Sequence, residues 1–223
     1  MPGFVLTRAS MTAVRIKICG VTTREALDAA IAARADYVGF VHVPPSPRHL
    51  SPVQAHELAA HAGDEIEKVG LFLDADDHTI AEGIAAGRLD MLQLHGSETP
   101  ERVAEVKVRH GLPVWKALPV AAARDVGMAS AYRDVADLIL FDAKTPKGAL
   151  PGGMGLAFDW TLLAAYRGST PWGFAGGLTP ENVAEAIGIT HAPLVDTSSG
   201  VESAPGVKDI DKIAAFCQAA RSV

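Results

Sequence analysis

Cysteine is scarce in this chain of 223 residues: only Cys19 and Cys217 occur, far apart, and there is no Cys-x-x-Cys pair. Two such residues cannot form a disulfide framework, and they point to a reducing, cytoplasmic setting. Positive charge is in deficit, with 20 Lys and Arg against 26 Asp and Glu. A net charge of −6 excludes the broad basic surface that nucleic acid or an anionic membrane demands. No apolar run approaches the roughly 18 residues of a membrane helix. Near the start, Phe4-Val5-Leu6 is interrupted by Arg8, too short for the core of a secretory signal. Cofactor motifs are missing as well: there is no phosphate-loop lysine motif and no Gly-x-Ser-x-Gly elbow. His56-Glu57-Leu58-Ala59-Ala60-His61 imitates a zinc-protease helix, but its histidines are five apart, roughly 140° around a helix. They cannot share a metal as an i, i+4 pair can. Neither metal nor cofactor is expected.

What is present is 48% hydrophobic residues arranged in a rhythm. Short apolar runs read as strands at Ile16–Cys19, Tyr37–Phe40, Val69–Phe72, Met91–Leu94, Val114–Ala117, Leu138–Phe141, Trp172–Ala175 and Leu194–Asp196. Ala-rich stretches with apolar residues at three- and four-residue spacing lie between them, as at Arg24–Arg34, Pro52–His61, Asp77–Ala86 and Lys208–Ala220. Ser51-Pro52, Thr99-Pro100 and Thr179-Pro180 each place a capping hydroxyl before a proline at the first helical position. Leu194 lies 178 positions after Ile16, which makes seven repeats of roughly 25, close to the minimum for a βα unit. Strict alternation means parallel strands with right-handed crossovers. Eight units favour an α/β fold of one domain, a closed (β/α)₈ TIM barrel over residues 15–223. An open doubly wound sheet is the runner-up, but its Gly-rich first turn is absent from Cys19-Gly20-Val21-Thr22. Residues 1–14 match no repeat; they are an N-terminal extension, with a flexible arm and a start at Met11 as open readings. The stretch from Ala143 to Ala157, rich in Gly and Pro, suits a lid over the barrel mouth.

Alternate residues of a barrel strand face the axis, and chemistry gathers at the carboxyl ends. Strand one then presents Lys17 and Cys19 inward, and strand four presents Gln93 and His95. Strand six ends in Asp142, and strand eight ends in Asp196, which could instead pair with Lys17. A wet mouth spares these groups the cost of burial among helices. Cys19, with Gly20 behind it, is a candidate nucleophile or base; Cys217, in the last helix, reads as a core residue. Glycines cluster after the last three strands: Gly152-Gly153-Met154-Gly155, Gly176-Gly177, and Ser198-Ser199-Gly200. Backbone amides in such loops bind phosphate without net positive charge. Arg48, stiffened by Pro44, Pro45 and Pro47 after strand two, suits bidentate capture of a carboxylate. The partner expected is therefore a small phosphorylated substrate. Mixed helix faces such as Glu101–His110 fit a monomer or weak homodimer.

These motifs together resemble the phosphoribosylanthranilate isomerases of tryptophan biosynthesis, an aromatic amino-acid pathway. The resemblance rests on Lys17-Ile18-Cys19-Gly20-Val21-Thr22, Ser46-Pro47-Arg48, Leu92-Gln93-Leu94-His95-Gly96, Phe141-Asp142, Ala175-Gly176-Gly177-Leu178 and Ser198-Ser199-Gly200-Val201-Glu202, in the family's order. It implies a cytoplasmic isomerase that performs an Amadori rearrangement of N-(5'-phosphoribosyl)anthranilate. Asp142 would be general acid and Cys19 general base. Arg48 would hold the substrate's carboxylate, and the backbones of Gly155, Gly176, Gly177, Ser199 and Gly200 its phosphate. Lys17, Gln93, His95 and Asp196 would complete the pocket. The chain departs from the family pattern at Met154, where a threonine is usual, at Thr197, where valine is usual, and at His42-Val43-Pro44-Pro45. Two alternatives stay open: a related sugar-phosphate isomerase of the histidine-biosynthesis type, and a barrel that binds phosphorylated ligands without catalysis.

Overall fold

The computed structural model describes residues 13–143 and 159–223. Eight parallel strands close into a barrel in chain order: β1 (Arg15–Cys19), β2 (Tyr37–Val41), β3 (Glu67–Phe72), β4 (Met91–Leu94), β5 (Val114–Val120), β6 (Leu138–Ala143), β7 (Trp172–Phe174) and β8 (Leu194–Thr197). β8 returns to β1, with Lys17 opposite Asp196. Every strand anticipated from the apolar runs is found, and the open sheet is ruled out by that closure.

Helices follow the strands as α1 (Arg24–Ala32), α2 (Pro52–Ala62), α3 (Asp77–Gly87), α4 (Pro100–His110), α5 (Ala123–Gly127), α6 (Val183–Thr190) and α7 (Ile210–Arg221). Their starts obey the capping logic of the sequence. The Ser51 and Thr99 hydroxyls accept from the backbone amides of Gln54 and Arg102, and Gln54 reciprocates to the Ser51 amide. Two expectations are corrected. Thr179-Pro180 does not open α6, because Asn182 accepts from the Thr179 amide and donates to the Gly177 carbonyl. That closes a turn and delays the helix to Val183. The last helix begins at Ile210 rather than Lys208, since Lys208 belongs to a hairpin of β9 (Glu202–Ala204) and β10 (Val207–Lys208) and Asp209 is the cap. In the sixth unit a 3₁₀ segment, Trp160–Ala165, precedes β7.

Strand parity divides the core in two. Outward residues such as Ile16, Ile18, Val38, Phe40, Leu92, Leu94, Ile139, Phe141 and Val195 pack against the helices. Inward residues Tyr37, Val69, Met91, Trp115, Ala117, Leu138, Leu140, Ala175 and Leu194 form a separate apolar cluster inside the barrel. Tyr37 and Trp115 meet edge to face there, with ring centroids 5.0 Å apart. Each large side chain buried in this way contributes about 1.5–3 kcal/mol. The cluster is a solid floor beneath the mouth.

Candidate active site

Above that floor the inward residues turn polar. Lys17, fully buried, donates to Asp196 Oδ2 at 3.0 Å across the β1–β8 seam. Burial opposes the charge on Lys17, but Asp196 and then Cys19 outweigh it and hold the ammonium above its ordinary value. Two residues on, Cys19 sits 5% exposed. Burial pushes its thiol up, against the pull of Lys17. Both side chains need room from β2. A Cβ at Gly39 would lie 2.8 Å from the Cys19 sulfur and 3.2 Å from Lys17 Nζ. Glycine at 39 is therefore part of the site, as its place opposite Cys19 in the ladder could have suggested.

A second polar file crosses from β4 to β6. Gln93 Nε2 lies 2.9 Å from His95 Nδ1, and His95 Nε2 lies 3.1 Å from Asp142 Oδ2. Asp142 Oδ1 accepts the Ala143 amide at 2.8 Å. The segment carrying His95 is tied down from outside the barrel. Glu98 accepts from the Gly96 and Asp74 amides and pairs with buried Lys116 at 2.8 Å. Asp196 couples electrostatically to Lys17 first, then to Asp142 and His95, so the two files form one constellation. Cys19, His95, Asp142 and Asp196 thus lie at the carboxyl ends of β1, β4, β6 and β8, each within electrostatic reach of Asp196 or its partner.

The glycine loops surround it. Gly176 and Gly177 have φ of +92° and +66°, left-handed values that favour glycine. A Cβ at Gly176 would press on Ala143 and come within 3.1 Å of Asp142 Oδ1. Ser199 and Gly200 form a 3₁₀ turn after β8. Gly200 packs so closely on the Leu178 carbonyl that a Cβ would overlap it, and Thr197 Oγ1 donates to the same carbonyl at 2.8 Å. The loops after β7 and β8 are thus one rigid unit. Gly155, Met154 and the expected lid to Ala157 lie outside the described residues, as does the N-terminal extension up to residue 12.

The Arg48 guanidinium is engaged within the protein. It is 9% exposed, and its Nε and Nη2 both donate to Glu202 at 2.7 Å. Glu202 also takes Lys208 Nζ at 2.7 Å, while Lys208 reaches the Ser198 carbonyl at 3.0 Å. Burial opposes ionisation of Glu202, but Arg48 and Lys208 prevail and keep its carboxyl below the usual range. The hairpin therefore binds the β2–α2 loop to the loop after β8. Glu202 and Lys208 stand 154 and 160 positions from Arg48 in the chain, and no local pattern links them to it. Among the described residues, no three His, Cys, Asp or Glu side chains converge as metal ligands, and no helix is long and apolar enough to cross a membrane.

A family model described as N-(5'phosphoribosyl)anthranilate (PRA) isomerase matches residues 16–219. The chain belongs to that family. N-(5'-phosphoribosyl)anthranilate isomerase of Paramagnetospirillum magneticum is 56% identical over 209 residues, 93% of this chain and 97% of that one. The isomerase of Thermotoga maritima, solved by crystallography, is 37% identical and has a TM-score of 0.84, covering 94% of this chain and all of that one. That dimeric enzyme has also been solved as monomers. A phosphoribosyl anthranilate isomerase in complex with reduced 1-(o-carboxyphenylamino)-1-deoxyribulose 5-phosphate is 34% identical, with a TM-score of 0.81 and the same 94% and 100% coverage. The family's (β/α)₈ barrel, with its mouth at the carboxyl ends of the strands, is the architecture described above.

Proposed function

We propose that the protein is an N-(5'-phosphoribosyl)anthranilate isomerase of tryptophan biosynthesis, with Asp142 as general acid and Cys19 as general base. The observation that carries the reading is the mouth itself: a carboxyl on β6 and a thiol on β1, joined through Asp196 and Lys17, in a chain matched to the family over nearly its whole length. Asp142 gives a proton to the ribose ring oxygen, and the ring opens to a Schiff base. Cys19, as thiolate, removes the proton on C2, and the resulting enolamine tautomerises to the ketone, 1-(2-carboxyphenylamino)-1-deoxyribulose 5-phosphate. One proton leaves Asp142 and one arrives on Cys19, so the rearrangement needs no outside oxidant or reductant.

Lys17 serves this chemistry by drawing the buried thiol toward its ionised form, since a neutral thiol is a poor base. Arg48, fixed by Glu202, supplies the cation for the anthranilate carboxylate. The backbones of Gly176, Gly177, Ser199 and Gly200 supply amides for the phosphate, whose charge they can hold in an acidic protein. A cytoplasmic enzyme, monomeric or weakly dimeric, fits the two free cysteines, both buried.

The decisive experiment supplies phosphoribosylanthranilate to the pure protein without added metal and follows the loss of its fluorescence. Consumption with formation of the deoxyribulose product is expected. Turnover of the histidine-pathway aminoimidazole substrate in its place would transfer the assignment to that isomerase. Binding without turnover of either would make the barrel a non-catalytic one.

A further inference from the structure

We infer that Gln93 is a positioning residue whose side-chain amide turns over as the His95–Asp142 pair gains and loses a proton. The inference rests on Asp142 being the general acid. It starts from an orphaned atom: Gln93 is fully buried, and its Oε1 has no hydrogen-bond partner among the described residues. Its Nε2, by contrast, is 2.9 Å from His95 Nδ1.

An amide nitrogen only donates, so in this arrangement Nδ1 must be bare and the ring's single hydrogen must sit on Nε2. Nε2 then donates to Asp142 Oδ2 at 3.1 Å, while Oδ1 accepts from the Ala143 amide. Both carboxylate oxygens are acceptors, and the pair holds no proton to give away. A general acid must begin its step in another state.

Adding one proton to the pair has two outcomes, and both make the same demand. If the proton rests on Asp142, its hydroxyl donates to Nε2, and the ring hydrogen must be on Nδ1. If it rests on the ring, both nitrogens carry hydrogen. Either way Nδ1–H points at Gln93 and needs an acceptor. A half-turn of the amide about its terminal torsion supplies Oε1 without changing the outline of the side chain. The same turn gives the orphaned oxygen its partner. Glutamine serves both states because its amide has one donor end and one acceptor end; glutamate serves only the loaded state and methionine neither. Among the described residues, Asp196 on β8 couples to both members of the pair, and Lys17 and Cys19 on β1 lie beyond it.

The test labels the histidines of the full-length protein with ¹⁵N and reads the ring nitrogens from pH 9 to pH 5, with His95→Asn assigning the resonances. At the alkaline end His95 should carry hydrogen on Nε2 alone; on acidification Nδ1 should become protonated. Gln93→Glu should keep Nδ1 protonated throughout and move the basic limb of the kcat/KM–pH profile up by about one unit. Gln93→Met should lower kcat on the order of tenfold with KM within twofold, and Gln93→Glu should recover part of that loss. A bare Nδ1 at every pH, or a basic limb that Gln93→Glu leaves in place, would overturn the inference. Asp142→Asn separates the two claims. Full turnover in that variant sinks the acid assignment, whereas the wild-type ring signals judge the amide on their own.

Discussion

The floor and the mouth of this barrel are built by the same strands with the same parity, yet they do opposite work. β4 gives Met91 to the floor and Gln93 above it; β6 gives Leu138 and Leu140, then Asp142; β8 gives Leu194, then Asp196. One two-residue step along a strand changes packing into chemistry. The floor is apolar and closed, with aromatic and aliphatic side chains in mutual contact. The mouth keeps buried polar atoms, Gln93 Oε1 and Asp196 Oδ1, without a partner among the described residues. Such atoms cost stability, and a site for a polyhydroxylated, charged substrate is where that cost is repaid in function.

The comparison breaks most visibly at the acid and the base. Cys19→Ala and Asp142→Ala should each lower kcat by roughly 10²–10⁴ while leaving the melting temperature within a few degrees, as steady-state kinetics and calorimetry would register. Loss of fold in both variants would mean that the mouth also packs. Next comes the floor. Trp115→Ala should cost about 3–5 kcal/mol of stability in urea unfolding, with kcat per folded molecule almost unchanged. A large fall in kcat there would show that floor and mouth are not separable.

A smaller effect tests a titratable group placed in the packing shell. His42 stacks on Phe72, with ring centroids 5.0 Å apart, and burial, then His49, lower its value to about 4 from 6.5. The folded ring thus stays neutral where the unfolded ring binds a proton. Stability is whole above pH 6.5 and falls as pH drops toward 4, by about 3 kcal/mol at the limit. His42→Phe should remove that part of the acid sensitivity, read from denaturant midpoints at pH 7 and pH 4.5. The smallest effect belongs to the brace of Arg48. Glu202→Gln should raise KM roughly tenfold, about 1.4 kcal/mol, and leave kcat within a few fold, since a carboxylate clamp holds ground and transition states alike.

Much of the barrel was legible because strand parity is a local rule. Alternation alone put Lys17, Cys19, Gln93, His95, Asp142 and Asp196 on the inner face, and hydroxyl–proline pairs located the starts of α2 and α4. The pairing of Asp196 with Lys17 is an option the sequence itself offers, since both residues face the barrel axis. What stayed hidden depends on contacts distant in sequence. Nothing near Arg48 announces Glu202, and nothing near Cys19 announces that Gly39 must lack a side chain. The helix start at Val183 is not legible locally, because Thr179-Pro180 offers a capping hydroxyl and a proline while the neighbouring Asn182 amide captures the turn. Resemblance supplied the roles of acid and base; composition and spacing supplied only their location.

The Lys17–Asp196 pair joins residues 179 positions apart, across the seam where the last strand meets the first. Closing so long a loop carries a large entropic cost, spent before the contact gives anything back. Until β8 docks, Lys17 lacks the Asp196 carboxylate that pairs with it in the closed barrel, and the mouth lacks one of its inward carboxylates. In this molecule the onset of catalysis would mark the moment the ring shuts, and turnover during refolding would time that event directly.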